Sequence, residues 1–500
     1  MKRSLLFVAI FFPVFCSGQT DTLQQFTLTP DQALSDFRLY RRLLQETHPG
    51  LYRYSSKEQM QRFLDSVDAS FIKPIAFYDY QRLLAFVNAN IRCAHSSALP
   101  SADIWGYMRS IKVLPFFIQP VQNKYIILFS GTGDESLQPG WELTHINGHH
   151  IDSIATVLRK HFWADGYNEI AKTQVVQGNT FGLFYYLIIE QPEKFRLSVK
   201  TVSGEKMEVT IAAQTLQQND TNFKKNPVNK KMISYYGKRH KTWEVLFPKD
   251  VKKTAILKVY GFGGKDQNDG DQARAAMKSF MDEAMKNIAR RGITNLIVDV
   301  RGNPGGWDTQ GVELFTYLMK SDSPVYYYKR LHAVTDSSEF LKYSDLSEED
   351  KKNVKKELRE EADGTFTMRE EYNTDLKLQY PKPNRFKGQV YILLNHRSAS
   401  TTSEFVAVCK SNKVGILVGE ESGGCYEGGN GASFITMTLP HSKIAVSTPL
   451  MYYQNAVAPL ALKGKGTIPD YEIPETLGDA LIGRDTVMEW VKERIRRNSF

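Results

Sequence analysis

Cysteine is scarce: the chain has four in 500 residues, and one of them, Cys16, sits in an apolar leader. The other three, Cys93, Cys409 and Cys425, are too few for a disulfide framework, and no pair has zinc-ligand spacing. Long apolar runs are missing too. Leu5–Phe15 is too short to span a bilayer, and nothing after it is long and apolar enough for a transmembrane helix. No nucleic-acid-binding motif is present, and the net charge of +9 is modest. The densest basic group, Lys224–Lys241, has few aromatics near it (Tyr235, Tyr236, Trp243) and reads as a solvated linker.

What is present begins with that leader. Lys2 and Arg3, the run Leu5–Phe15, and the small residues Cys16-Ser17-Gly18 make a secretory signal over residues 1–18. Phe15 is large where lipoprotein processing at Cys16 prefers a small residue, so simple cleavage is expected. The mature protein is then periplasmic or secreted. Five hundred residues are too many for one core, so two or three domains are expected.

The hydrophobic period divides the chain. Leu34, Phe37, Tyr40 and Leu44 follow a Thr29-Pro30-Asp31 helix start. Ser55–Glu58 reads as a capping box for a second helix, and Phe77–Ile91 as a third. A helical domain over residues 25–108 is expected. From about 110 the period becomes two: Val113–Ile118, Tyr125–Phe129, and a hairpin of Phe195–Thr201 with Lys206–Ile211. This second domain, residues 110–213, resembles a PDZ domain, whose kind binds peptide by strand addition. It departs from one in the long insertion Trp163–Pro192. A basic linker, 214–242, leads to a third domain, 243–500, where strands alternate with helices as in an α/β fold.

Two segments of that third domain carry chemistry. In Leu393–Gly424 a strand runs into a Ser/Thr cluster and then a helix at Ser400–Glu404. A serine there has an exposed hydroxyl, and the first helical amides point at anything bound. That suits a nucleophile attacking a carbonyl. Plain helix capping by Ser398, Ser400 and Thr401 is the other reading. In Asn295–Trp307 an apolar strand ends in Gly302, Gly305 and Gly306, which leave backbone amides uncovered. Together the two turns can supply both halves of an oxyanion hole.

ETHPGLYRY (Glu46–Tyr54), CAHSS (Cys93–Ser97), DVRGNPGG (Asp299–Gly306), SASTTSEF (Ser398–Phe405), LVGEESGG (Leu417–Gly424) and GTIPD (Gly466–Asp470) occur in that order. Together they resemble the tail-specific, or C-terminal processing, serine peptidases, in their Bacteroidetes-type members. The resemblance implies a crotonase/caseinolytic-protease-like core. It also implies acyl-enzyme hydrolysis of peptide bonds in a peptide or protein substrate, without metal or cofactor.

Within the motif Ser400 best matches the nucleophile, with Ser398 and Ser403 as rivals. Many members of the family take a lysine base from the turn after the second strand. Here Cys425 stands at that place, and no lysine lies between Lys413 and Lys443. The tricorn-type branch uses a histidine from the N-terminal helical segment, which His95 matches, with Ser96 to orient it. The family's helper glutamate is replaced by Lys463 or Lys465, while Glu420 and Glu421 have only nearness in sequence in their favour. The oxyanion hole falls to the amides of Thr401 and of Gly305 or Gly306. Asp299 and Arg301 read as a structural ion pair. If His95 meets Ser400, Cys93 and Cys425 converge, and a disulfide between them stands as an alternative to two buried thiols. The missing lysine keeps a second class open, a silent member that binds a peptide. The sequence carries no sign of oligomeric state.

Overall fold

The structure is a computed structural model that describes residues 22–102, 104, 106, 110–236, 241–264, 267–461 and 463–497. The signal at residues 1–18 lies outside the described residues. Three helices open the chain: α1 (Pro30–Thr47), α2 (Lys57–Asp68) and α3 (Phe77–Ile91). Thr29 and Gln32 form a capping box on α1, with Pro30 at its first position, where its missing N–H is no loss. The capping box of α2 is Ser56 with Gln59, one residue later than expected, because the Ser56 hydroxyl is the one that meets the Gln59 amide. Phe37, Tyr40, Leu44, Tyr80 and Leu84 fill the space between the helices. Arg92 ends α3 in the left-handed region, and β1 (Ser97–Pro100) then leaves the helices to pair with a strand of the third domain.

The second domain is an antiparallel sheet of β2 (Phe116–Val121), β3 (Lys124–Ser130), β4 (Glu142–Ile146), β5 (Lys194–Lys200) and β6 (Lys206–Ala212), in the order β6-β5-β4-β3-β2. Helices α4 (Ile151–Lys160) and α5 (Gly178–Ile188) lie between β4 and β5, the latter inside the expected insertion. The stretch read as a solvated linker is folded. It forms α6 (Leu216–Lys225) and a further turn of helix at Lys230–Tyr236. Lys224, Lys225, Lys230, Lys231 and Lys241 are exposed, but Asn229 is fully buried and bonded both ways to the Ser130 main chain (2.9 and 2.6 Å). A dense run of charge masked the asparagines that anchor it.

In the third domain the elements are β7 (Trp243–Leu246), β8 (Thr254–Val259), α7 (Gly270–Arg290), β9 (Asn295–Asp299), α8 (Asp308–Thr316), β10 (Tyr328–Ala333), β11 (Gln389–Leu394), α9 (Thr401–Ser411), β12 (Ile416–Gly419), β13 (Asn430–Thr438), β14 (Ile444–Asn455), β15 (Tyr471–Glu472) and α10 (Thr486–Arg497). One sheet runs β7-β8-β9-β11-β12-β15, parallel except for β7. Its inner strands β9, β11 and β12 are apolar on both faces, as a doubly covered sheet requires. Leu296 and Val298 pack with the α7 methionines, while Ile297, Tyr391 and Val418 pack against Val487, Val491 and Ile495 of α10. A second sheet pairs β10, β14 and β13, with β1 on β14. The helical domain is thereby stitched to the third domain by backbone pairing.

Candidate active site

Strands β9 and β11 pair in parallel register from Asn295↔Gln389 to Asp299↔Leu393. They therefore end at the same sheet edge and feed α8 and α9 through neighbouring turns. Two asparagines sew these turns together. Asn303 accepts from the Gly305 amide (2.9 Å), donates to Val259 O (3.0 Å), and its carbonyl accepts from the Ala399 amide (3.1 Å). Asn395 Oδ1 accepts from the Gly302 amide (3.0 Å). The turns touch so closely that glycine is required. A Cβ on Gly305 would lie 2.7 Å from Ser400 Cβ, and one on Gly306 would overlap the carbonyl oxygen of Phe262. Both glycines also have positive φ, 101° and 137°.

Ser400 stands at the head of α9 with φ 52° and ψ −131°, and its side chain makes no capping bond. A non-glycine residue in that region is strained and is held there by its surroundings. The three serines are now distinguishable. Ser398 is buried and its hydroxyl donates to Val300 O (2.9 Å) while accepting from the Asn395 amide (3.1 Å). Ser403 is buried and donates to Ser398 O (2.9 Å). Ser400 is half-exposed, and its hydroxyl has no hydrogen-bond partner among the described residues. Beside it, the amides of Thr401 and Gly306 have no acceptor among the described residues, whereas the Gly305 amide is taken by Asn303. The Thr401 hydroxyl donates to Gly306 O (2.9 Å), which locks the two turns at the level of those amides.

The CAHSS turn is anchored by the Ala94 amide donating to Asp165 (2.8 Å). His95 is half-buried, its ring stacked on Phe434 at 5.9 Å, with Nδ1 enclosed and unpartnered. Among the described residues no hydrogen bond joins it to Ser400. Ser96 does not orient His95. It is fully buried, and its hydroxyl is 2.9 Å from Nε2 of His48. Nδ1 of His48 accepts from the Gly50 amide (2.9 Å), so Nε2 carries the hydrogen and donates to Ser96. Burial pushes His48 down to about 4, which keeps it neutral. Among the described residues no disulfide forms: Cys93, Cys409 and Cys425 are free and buried. Cys93 Sγ accepts from Asn430 (3.3 Å), and Cys425 Sγ, at the lysine's place, lies 3.3 Å from the Tyr54 hydroxyl.

Several residues of this site have no counterpart in the motif reading. Glu404, one turn along α9 from Ser400, accepts from the Tyr328 hydroxyl (2.5 Å). Burial, then the charges of Asp308 and Asp165 against the opposing pull of that hydrogen bond, raise its carboxyl to about 8. Burial also pushes Asp308 up, although it accepts from Tyr453 (3.1 Å). A glutamate directly before the apolar run Phe405–Val408 of α9 was the signal available for this cluster. Asp299 and Arg301 pair as expected (2.8 Å), and Asp485 joins them (2.6 Å). The GTIPD segment braces the turn after β12: Ser422 and Thr467 bond both ways, and Asp470 accepts from the Leu417 amide (2.8 Å). Among the described residues no group of histidine, cysteine or acidic side chains is placed to hold a metal ion.

A serine hydroxyl left uncommitted at the end of a parallel strand, beside two uncommitted amides, is the arrangement a serine-type hydrolase uses. Residues 253–473 match the model of Peptidase family S41; this domain belongs to that family and the protein is a serine-type peptidase. Among solved structures, mature CPAF complexed with lactacystin is 14% identical, covers 94% of this chain and 98% of that chain, and gives a TM-score of 0.60. A mutant of CPAF gives 0.61, with 94% and 97% covered, also at 14% identity. At that identity the likeness establishes the fold. A putative S41 protease from Bacteroides fragilis, 14% identical over 91% of this chain and 96% of that one, gives 0.39. No curated protein matches the chain in sequence.

Proposed function

We propose that the protein is an exported endopeptidase, acting in the periplasm or outside the cell, that forms an acyl-enzyme on Ser400. The observation that carries this is the selectivity of the turn: of three clustered serines, only Ser400 keeps its hydroxyl uncommitted, beside two uncommitted amides. In the acylation step Ser400 Oγ attacks the scissile carbonyl and its proton passes to a base. The Thr401 and Gly306 amides receive the oxyanion, each such donor being worth about 2.7–4 kcal/mol. The base then protonates the leaving amine, and water repeats the sequence to release the acid.

His95 is the proposed base. Its support is the absence of any lysine between Lys413 and Lys443, the CAHSS match, and an Nδ1 with no hydrogen-bond partner among the described residues. A neutral imidazole accepts a proton at ordinary pH. The unpartnered Nδ1 also favours a second reading, a weak or silent member that holds a peptide without cutting it, since no carboxylate orients the ring. The sheet β2–β6 is proposed to be PDZ-like and to present that peptide by strand addition. Labelling with a fluorophosphonate decides between the readings. The expected result is labelling that Ser400→Ala abolishes and His95→Ala slows by about a hundredfold or more. Undiminished labelling of Ser400→Ala would move the nucleophile elsewhere, and no labelling of the native protein would favour the silent reading.

A further inference from the structure

We propose that His396 is a positioning residue: as an imidazolium it ties the inserted segment of the second domain to the turn that carries Ser400, so the site loses activity when that ring loses its proton. The inference rests on Ser400 being the nucleophile.

His396 is buried four residues before Ser400. Its Nδ1 is 2.8 Å from Glu420 Oε2, on the turn after β12, and its Nε2 is 3.1 Å from Gln177 Oε1, at the head of α5. The identity of that Gln177 atom follows from a third contact. Arg397 Nη2, which can only donate, lies 3.1 Å from the same oxygen. Turning the amide over would face a donor to a donor. Both ring nitrogens therefore look at acceptors, and only the doubly protonated ring satisfies both. A neutral ring would keep its bond to Glu420 and turn a lone pair on Gln177.

Burial pushes Glu420 up, but the hydrogen bond and charge of His396 outweigh it and hold the carboxylate below its usual range, with Arg301 adding to this. Glu475 is the other acidic group facing Glu420, and Arg397 is the other cation on this contact. No further hydrogen-bonded charge meets the ring among the described residues.

The contact is part of a seam. Asn168, from the same insertion, donates to Ser422 O (2.6 Å), and Gln174 to His396 O (3.4 Å). The Gly423 amide donates to Ser398 O (2.9 Å), which carries the seam into the serine turn. The insertion that separates this domain from a PDZ pattern is thus the part that braces the nucleophile. Because the bracing spans two domains, loosening it shifts Ser400 against Gly306, and a displacement of about 1 Å at a reacting group costs about a hundredfold.

The test uses the full-length protein. Fluorophosphonate labelling rates are followed from pH 6 to 10 in the native protein, Gln177→Glu and Glu420→Gln. Cε1 signals of the histidines are followed by NMR, with His396 assigned from His396→Gln. The expected result is an alkaline fall in labelling that tracks the His396 signal. It moves up by about one pH unit in Gln177→Glu and down by a similar amount in Glu420→Gln. An alkaline limb that neither variant moves, or a His396 ring that is neutral where labelling is fastest, overturns the proposal. If Ser400 takes no label at any pH, the catalytic reading has failed, and the NMR titration still reports whether His396 holds its proton against Gln177 and Glu420.

Discussion

The turns after β9 and β11 occupy equivalent places on adjacent strands, yet they are built by opposite means. The first uses Gly302, Gly305 and Gly306, all at positive φ, so its backbone relaxes into a shape only glycine adopts freely. The second places a serine at φ 52° and holds it by force. One turn supplies room and the other supplies a side chain. Neither works without its neighbour, because the space that Gly305 leaves is the space Ser400 occupies. The comparison separates two kinds of conformational demand: glycine as absence of a clash, and strain as exposure of a reactive group.

The largest effect is expected within the glycine turn. Gly306→Ala puts a methyl into the Phe262 carbonyl, and the variant is expected to lose more than about 4 kcal/mol in urea unfolding or not to fold. Gly302→Ala, also at positive φ (73°) but with nothing within 4 Å of the new methyl, should lose only about 1–2 kcal/mol. Equal losses at the two positions would mean that φ, and not contact, makes the turn glycine-rich. Gly305→Ala comes next. It should stay folded yet lose fluorophosphonate labelling by about a hundredfold, since it pushes on Ser400.

Much of this was legible. The glycines and the Ser/Thr cluster were conspicuous, and continuous apolar runs marked β9 and β11 as strands buried on both faces. What was not legible is the work done by ordinary polar residues across long separations. Asn303, Asn395 and His396 look like loop residues until the strands that carry them are adjacent. Ser96 looked like a partner for the preceding residue, His95, but a buried His48 claimed it from 48 positions away. The capping box slipped by one residue because two serines stood side by side. The basic run at 224–241 hid a buried asparagine, since charge signals exposure of a surface and says nothing of the face beneath it.

Glu404 sharpens the comparison by pH. Its carboxyl is raised from 4.5 to about 8 in the folded protein, so folding takes up a proton between those values. The unfolded chain binds fewer protons than the native one there, so stability falls as pH rises from about 4.5 through 8 and then levels. Glu404→Gln should flatten that part of the melting temperature profile, with no change expected on the glycine side. A profile that the substitution leaves intact would place the proton elsewhere. The smallest effect is expected at the strained serine. Ser400→Gly should gain up to about 1 kcal/mol in unfolding, by relieving φ, while losing all labelling. A loss of stability there would mean that Ser400 is not strained.

The central claim is that Ser400, alone among the three clustered serines, is the nucleophile. The most direct measurement labels the full-length protein with a fluorophosphonate, digests it and locates the modified residue by mass spectrometry. The account expects the adduct on Ser400 in the native protein, unchanged in Ser398→Ala and Ser403→Ala variants that remain folded. An adduct on Ser398 or Ser403, or one that survives in Ser400→Ala, would contradict it.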